Sequence, residues 1–261
     1  MDGGHPRVTL RATLASQEVI LGTFVMECTA PGVPRILADA GFDFVVIDAE
    51  HGVFAPDAVA RWVGGARAAG IAPLVRVPEI TRAQILRALE AGAEGIVAPM
   101  VESSRDAEEL YRLAMYPPLG ERGTCLGTAH SDYTIPDAAS YLRKANETTL
   151  LVGQIETRAG VEHLDSILES EKLDVAFIGP LDLSVSLGTP GDQSTPDFAA
   201  AIERVLAACT RHGVVPGAFA VDSSGARDWI ERGFRAIACS ADILMLADKS
   251  REIVDAIRRG T

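Results

Sequence analysis

Lysine is scarce in this chain: Lys144, Lys172 and Lys249 are the only three among 261 residues. Imine chemistry, which needs a buried lysine amine, is therefore confined to three positions. Cysteine is nearly as rare. Cys28, Cys125, Cys209 and Cys239 are scattered without a C-x-x-C pair, which argues against a disulfide framework and a structural zinc site and leaves them as small core residues. No apolar run approaches the roughly 20 residues that span a bilayer. The stretch Met1 to Arg7 lacks the basic and apolar regions of a signal peptide, so the expectation is a soluble, cytoplasmic protein with no membrane partner. Positive charge is also in deficit, with 24 Lys and Arg against 36 Asp and Glu and a formal net charge of −12. Such a surface repels nucleic acid and points to small-molecule chemistry.

What the chain has in quantity is apolar residues, 48% of the total, enough at this length for one large core. Short β-branched runs alternate with Ala/Leu/Arg/Glu-rich stretches of helical periodicity. Strands are expected near 20–25, 43–48, 72–76, 95–98, 149–155, 174–178, 214–219 and 235–239. Helices of the type Ala58–Ala69, Arg82–Ala91, Arg105–Met115, Val161–Leu168, Phe198–His212 and Ser224–Arg232 separate them. This is the pattern of a (β/α)8 TIM barrel, one α/β domain over 1–261. Gly41, Gly70, Gly92, Gly213 and Gly233 follow helices, where left-handed caps would turn the chain into the next strand. Tyr116 to Pro136 is the longest irregular piece, and a loop of that length usually serves function.

The most informative segment is Phe44-Val45-Val46-Ile47-Asp48-Ala49-Glu50-His51-Gly52, an apolar run ending abruptly in two acids and a histidine. In a parallel barrel the carboxyl ends of the strands form one mouth where ligands bind. Asp48, Glu50 and His51 close the second expected strand, Arg76 the third, Gln154 and Glu156 the fifth, and Asp182 lies just beyond the sixth. Glu156 and Asp182, brought close, would repel unless a cation lay between them, and their oxygens suit a hard ion such as Mg²⁺ or Mn²⁺. The alternative for Glu156 is an ordinary pair with Arg158 or another arginine. Gln154, on the same strand face as Glu156, could hold a water on that ion or serve as an interior amide. His51 is the best candidate for a base at neutral pH, with Asp48 placed to fix its tautomer. Arg76 offers a planar fork of donors to a substrate oxygen gaining charge, or a plain salt bridge to Glu79 or Asp48. His5 falls in the amino-terminal tail, and His163 and His212 fall in helices. His130 lies in the long loop, where an exposed histidine is the expected reading and access to the mouth the alternative.

These segments resemble the HpcH/HpaI aldolases, metal-dependent class II pyruvate aldolases of the phosphoenolpyruvate/pyruvate barrel superfamily. The matching stretches are Ala40 to Phe44 running into Ile47-Asp48-Ala49-Glu50-His51, Val75-Arg76-Val77-Pro78, Val97-Ala98-Pro99-Met100-Val101, Tyr116-Pro117-Pro118-Leu119-Gly120-Glu121-Arg122-Gly123, Gln154-Ile155-Glu156-Thr157 and Phe177-Ile178-Gly179-Pro180-Leu181-Asp182-Leu183-Ser184. They occur in the family's order from about residue 19 to residue 247. The resemblance implies Glu156 and Asp182 as metal ligands, His51 and Asp48 as a catalytic dyad, and Arg76 as the residue that steadies an enolate oxygen. It implies a substrate site at Gln154 and the turn Gly179, Pro180, Leu181 and Asp182, whose non-proline amides would hold the pyruvate carboxylate. The expected cofactor is Mg²⁺ or Mn²⁺, with Co²⁺ or Zn²⁺ as further options. The expected partners are pyruvate and an aldehyde, and the expected assembly a homo-oligomer, hexamer or trimer. Ile253, Val254 and Ile257 of a terminal helix would pack on a neighbour or on their own barrel.

None of the lysines falls at a strand's carboxyl end, so the residues themselves disfavour a Schiff-base aldolase. Departures from the resemblance lie on the acceptor side. Leu181 stands where alanine is common, Phe219 where leucine occurs, and Thr128-Ala129-His130-Ser131 where Ala-Arg-Ala-Ser is familiar. Phe24 would line the same side or sit in the core. Two other readings stay open on sequence alone. One is another reaction of the same enolate, such as oxaloacetate decarboxylation or a biosynthetic carbon–carbon bond formation; the other is a barrel that binds an α-ketoacid without catalysis.

Overall fold

The computed structural model of the chain describes residues 9–16 and 18–259; His5 and the stretch Met1 to Arg7 lie outside the described residues. Eight strands form a closed barrel in the order of the sequence: β1 (Ile20–Val25), β2 (Phe44–Asp48), β3 (Ala72–Arg76), β4 (Gly95–Ala98), β5 (Leu150–Gln154), β6 (Val175–Ile178), β7 (Val215–Ala220) and β8 (Ala236–Ala241). Neighbours pair in parallel, including β1 with β8, which closes the circle. Both faces of each strand are covered, so continuous apolar runs rather than alternating ones are what the architecture requires. Phe24, Phe44, Val46, Leu74, Val97, Val152 and Phe177 fill the interior. Their neighbours in the strands, among them Val45, Ile47, Val75, Ile96 and Ile178, pack outward against the helices. Gly22 pairs with Phe44 across β1 and β2, and a Cβ on it would lie 2.3 Å from the Phe44 ring, so only glycine lets that ring enter the barrel.

The surrounding helices are α1 (Leu10–Ala15), α2 (Val33–Asp39), α3 (Pro56–Ala69), α4 (Arg82–Glu90), α5 (Ser104–Ala114), α6 (Ala138–Thr148), α7 (Arg158–Glu162), α8 (Leu164–Glu169), α9 (Pro180–Ser186), α10 (Pro196–His212), α11 (Ser223–Glu231) and α12 (Asp242–Arg259). Gly70 and Gly213 cap α3 and α10 at φ 82° and 69°, and Gly41, Gly92 and Gly233 sit at 96°, 98° and 102°, as the sequence led us to expect. The expected single helix Val161–Leu168 is instead two, because His163 adopts φ −95°, ψ 8° between α7 and α8 and bonds through Nδ1 to the Glu102 carbonyl. Of the cysteines expected in the core, Cys209 alone is fully buried and Cys125 is exposed.

The amino end of the barrel is closed by α1. Leu10 and Leu14 join the interior cluster, and the Leu10 amide donates to Glu94 at 2.7 Å. Arg11 ties the same helix to Asp174 and to the carbonyls of Asn146 and Glu147. The long loop after α5 also belongs to this end. Arg67, in the last turn of α3, binds the Ala129 carbonyl and Asp132, and the His130 side chain, 3% exposed, lies between Tyr141, the Cys125 carbonyl and Glu90 of α4. His130 is therefore neither an exposed loop residue nor a group at this chain's own mouth; it fastens the loop to the returning ends of the helices. The opposite, carboxyl end is left open for chemistry.

Candidate active site

Register brings the first pair together: Asp48 ends β2 directly opposite Arg76, which ends β3. The Asp48 carboxylate is fully buried, so its charge needs a partner. Arg76 supplies one through Nε to Oδ1 at 3.0 Å and Nη2 to Oδ2 at 2.5 Å, a two-pronged contact that lysine could not make. Burial works against the guanidinium, but the Asp48 bonds, helped by Glu50 and Glu156, hold its pKa above the ordinary value. Asp48 Oδ1 also accepts the backbone N–H groups of Glu50 and His51 at 3.0 and 3.1 Å, which folds the strand end into its turn.

This arrangement corrects the expectation for Asp48. Its carboxylate meets the His51 backbone, and its charge is spent on Arg76. The acid nearest the imidazole is Glu50, whose Oε2 lies 3.7 Å from His51 Nε2 and 3.4 Å from Arg76 Nη1. Burial raises the Glu50 pKa, against the opposing pull of Arg76 and His51 and with added repulsion from Asp48 and Asp182. Glu50 was visible in the sequence as an acid at the strand end, but nothing in the spacing gave it a role. The His51 side chain is 60% exposed and opens to the mouth.

On the other side, β5 ends at Gln154 and delivers Glu156 two residues later, both nearly fully buried. Glu156 Oε2 accepts from Gln154 Nε2 at 3.0 Å, while Oε1 accepts the Met100 amide at 2.9 Å. Burial, with repulsion from Asp182 and Glu50, outweighs the Met100 bond and Arg76 and pushes the Glu156 pKa up to about 7. The expected alternative pair with Arg158 does not form: Arg158 bonds Ser186 and the Leu187 carbonyl. Asp182 stands in the first turn of α9, whose N-cap is Gly179. A Cβ on Gly179 would lie 2.5 Å from Glu156 Oε2 and 3.6 Å from Asp182 Oδ2, so the two carboxylates flank a space that only glycine leaves free. Gln154 Oε1 is buried and has no hydrogen-bond partner.

His51, Arg76, Gln154, Gly179, Leu181, Asp182 and Phe219 all border one cavity of about 230 Å³ at the mouth, with Phe24, Met26 and Leu244. Phe24 and Phe219 meet edge to face at 5.6 Å, and the Arg76 guanidinium lies 4.9 Å above the Phe24 ring. Met26, Leu244 and Met100 were not foreseen. The first lies just past β1 and the second on α12, and both border the cavity; Met100 follows β4 and carries the Glu156 bond through its backbone amide. Among the described residues, no group of three or more His, Cys, Asp or Glu side chains converges to hold a metal. The two carboxylates that flank the space at Gly179 are Glu156 and Asp182.

Comparison with known proteins places the chain among relatives. The chain is 35% identical to the hydroxypyruvate/pyruvate aldolase of Roseovarius nubinhibens over 95% of both chains. It is 30% identical to a 5-keto-4-deoxy-D-glucarate aldolase of Shigella boydii over 95% of this chain and 96% of that one. The crystal structure of an HpcH/HpaI aldolase from Desulfitobacterium hafniense superposes with a TM-score of 0.92 at 34% identity, covering 97% of each chain. The family model for HpcH/HpaI aldolase/citrate lyase matches residues 22–248, the whole of the barrel from within β1 into α12. By that match and those identities, the chain belongs to the HpcH/HpaI aldolase/citrate lyase family.

Proposed function

We propose that this enzyme is a divalent-metal-dependent aldolase that joins pyruvate to an aldehyde and cleaves the resulting 4-hydroxy-2-oxoacid. A carbon–carbon lyase of this kind is what relatives named aldolases at 30–35% identity over most of the chain support. The observation that carries the reading is the pair of carboxylates around Gly179, with the unpartnered Gln154 Oε1 beside it and Arg76 and His51 on the same cavity.

The residues suit a hard dication. A carboxyl held near neutrality by burial and by a second carboxylate gains most from a positive charge, and every donor is oxygen, which favours Mg²⁺ or Mn²⁺ over Co²⁺ or Zn²⁺. Glu156 and Asp182 would hold it. When bound, such an ion acts as a Lewis acid on the keto oxygen and makes the methyl protons of pyruvate easier to remove.

The chain's own groups do the rest. The amides of Leu181 and Asp182, in the first turn of α9, have no acceptor within the helix and receive the substrate carboxylate. Gly179 keeps the approach to both acids clear. Arg76, fixed by Asp48, presents its remaining N–H groups where negative charge develops on the keto oxygen. His51, open to the mouth, takes the methyl proton directly or through a water and returns one to the new hydroxyl. Gln154 Oε1 accepts a hydrogen bond from water in the site.

The terminal helix supports a homo-oligomer. Beyond Asp242, α12 has no buried residue, and Ile253 and Val254 stand 50% and 43% exposed. A second copy of the chain is the partner we propose for that face, in a trimer or hexamer.

The function is tested by following pyruvate release from 4-hydroxy-2-oxopentanoate in a coupled assay, before and after chelation and with Mg²⁺ or Mn²⁺ restored. Release that chelation stops and the ion restores is expected; release indifferent to chelation contradicts the metal, and no release under any condition contradicts the aldolase.

A further inference from the structure

The mouth of the barrel is divided by charge. The ionisable residues that border it come from the ends of β2, β3 and β6, His51, Arg76 and Asp182, with Asp48, Glu50 and Glu156 set behind them. The ends of β1, β7 and β8 face the same cavity with Phe24, Met26, Phe219, Ala241 and, from α12, Leu244. Asp242, which follows Ala241 of this second wall, is 7% exposed and already accepts the backbone N–H groups of Met26, Glu27, Cys28 and Ile243. Among the described residues, no lysine or arginine other than Arg76 borders the cavity, and Arg76 is paired with Asp48 and Glu50, lays its face on Phe24 and has its remaining N–H groups assigned to the keto oxygen.

We infer that the second substrate is a short, uncharged aldehyde, seated on the Phe24–Phe219 wall, and that aldehydes bearing a carboxylate or phosphate are discriminated against. The inference rests on the aldolase reading above and names the acceptor class that reading leaves open. Two physical terms carry it. An acceptor anion would enter a cavity bordered by the Asp182 carboxylate, where Arg76 is already paired with Asp48 and where a dication and the pyruvate carboxylate together add only a single positive charge. It would also lose its hydration against an aromatic and methionine surface that offers no donor, a cost that an alkyl or hydroxyalkyl aldehyde does not bear. Size sets the length: the cavity of about 230 Å³ must hold pyruvate as well, and it lies below the ~300–1,000 Å³ of pockets for drug-sized ligands.

The test compares 4-oxobutanoate with its methyl ester, an acceptor pair of nearly equal shape that differs in charge, each with pyruvate and Mg²⁺ or Mn²⁺. Hydrogen–deuterium exchange of the pyruvate methyl group is followed in parallel. We expect kcat/KM for the ester to exceed that for the acid by about tenfold or more. In Leu244→Arg, which places a cation on the apolar wall, the acid should gain and the gap close, while Leu244→Gln should leave the gap open; retained pyruvate exchange shows that both variants are folded. Equal or better use of the acid by the unaltered enzyme, with exchange intact, overturns the acceptor assignment alone. Absence of exchange and of product with either aldehyde overturns the aldolase reading and the acceptor assignment with it.

Discussion

The Met100 amide donates to Glu156 Oε1 at 2.9 Å, and Met100 makes that bond from a left-handed backbone with φ 52°. A side-chain-bearing residue gives up about 1–2 kcal/mol to sit there, so the neighbourhood must hold it in place. The bond aims the buried carboxylate at Asp182 and Gly179 rather than leaving it to rotate.

Met100→Gly should therefore keep the turn and the Glu156 orientation, with metal affinity within about threefold of the unaltered protein. Met100→Val, β-branched and ill suited to positive φ, should weaken metal binding by about tenfold or more. Calorimetric titration with Mn²⁺ separates the two; equal affinities would show that the strained backbone has no part in orienting Glu156.

The raised pKa of Glu156 has a signed consequence for stability. In the metal-free protein this group binds its proton more tightly when folded than when unfolded, so its contribution is greatest below the unfolded value near 4.5 and is lost as pH rises through about 7. Glu156→Gln should accordingly raise the metal-free melting temperature at pH 8, by an amount corresponding to at most roughly 3 kcal/mol. The same variant should lose the stabilisation that Mn²⁺ gives the unaltered protein. Thermal scans from pH 5 to 8, with and without metal, check both; a variant less stable at pH 8 contradicts the assignment.

Metal binding by the unaltered protein should release a proton near neutrality. Its apparent affinity should fall about tenfold from pH 8 to pH 6, because a carboxyl that titrates near 7 must ionise to serve as a ligand. Titrations in buffers of different ionisation enthalpy measure the released proton, and an affinity flat over that range contradicts the prediction.

Much of the barrel was legible because its strands are buried on both faces and punctuated by glycine. Runs such as Phe44 to Asp48 and Ala72 to Arg76 need no partner information to be recognised, and the left-handed φ of Gly41, Gly70, Gly92, Gly213 and Gly233 is the physical reason they mark the joints. Contacts that depend on register were not legible. The salt bridge of Arg76 to Asp48 stood only as one alternative beside Glu79, and the choice follows from how β2 and β3 align, which neither strand states alone. The break at His163 and the burial of the His130 side chain are likewise set by Glu102 and Glu90, distant in the chain, and by Tyr141 on the next helix. Met100 escaped notice because an apolar residue at a strand end gives no sign that its backbone, not its side chain, does the binding.

Removing one member of the Asp48–Arg76 pair should be costly. Asp48→Ala leaves a guanidinium buried and uncompensated except by Glu50, a change expected to lower stability by about 3–5 kcal/mol. Asp48→Asn, which keeps acceptors for the Glu50 and His51 amides, should cost less. Urea unfolding of both variants measures the difference; equal losses would place the energy in the ion pair alone and leave none for the turn.

Gly179→Ala should separate folding from function. The added methyl meets the Glu156 carboxylate at 2.5 Å, so the variant is expected to keep its circular dichroism spectrum while its Mn²⁺ affinity drops by at least about a hundredfold. Undiminished affinity would mean that the ion sits elsewhere.

Proton exchange at the methyl group of pyruvate in deuterated water, followed by NMR, tests the central claim most directly, because it needs no aldehyde and reports on the acids, Arg76 and His51 together. The account predicts exchange that requires a divalent ion, survives in Phe219→Leu on the apolar wall, and vanishes in Glu156→Gln and His51→Ala. Exchange at full rate in a metal-stripped Glu156→Gln protein would contradict it.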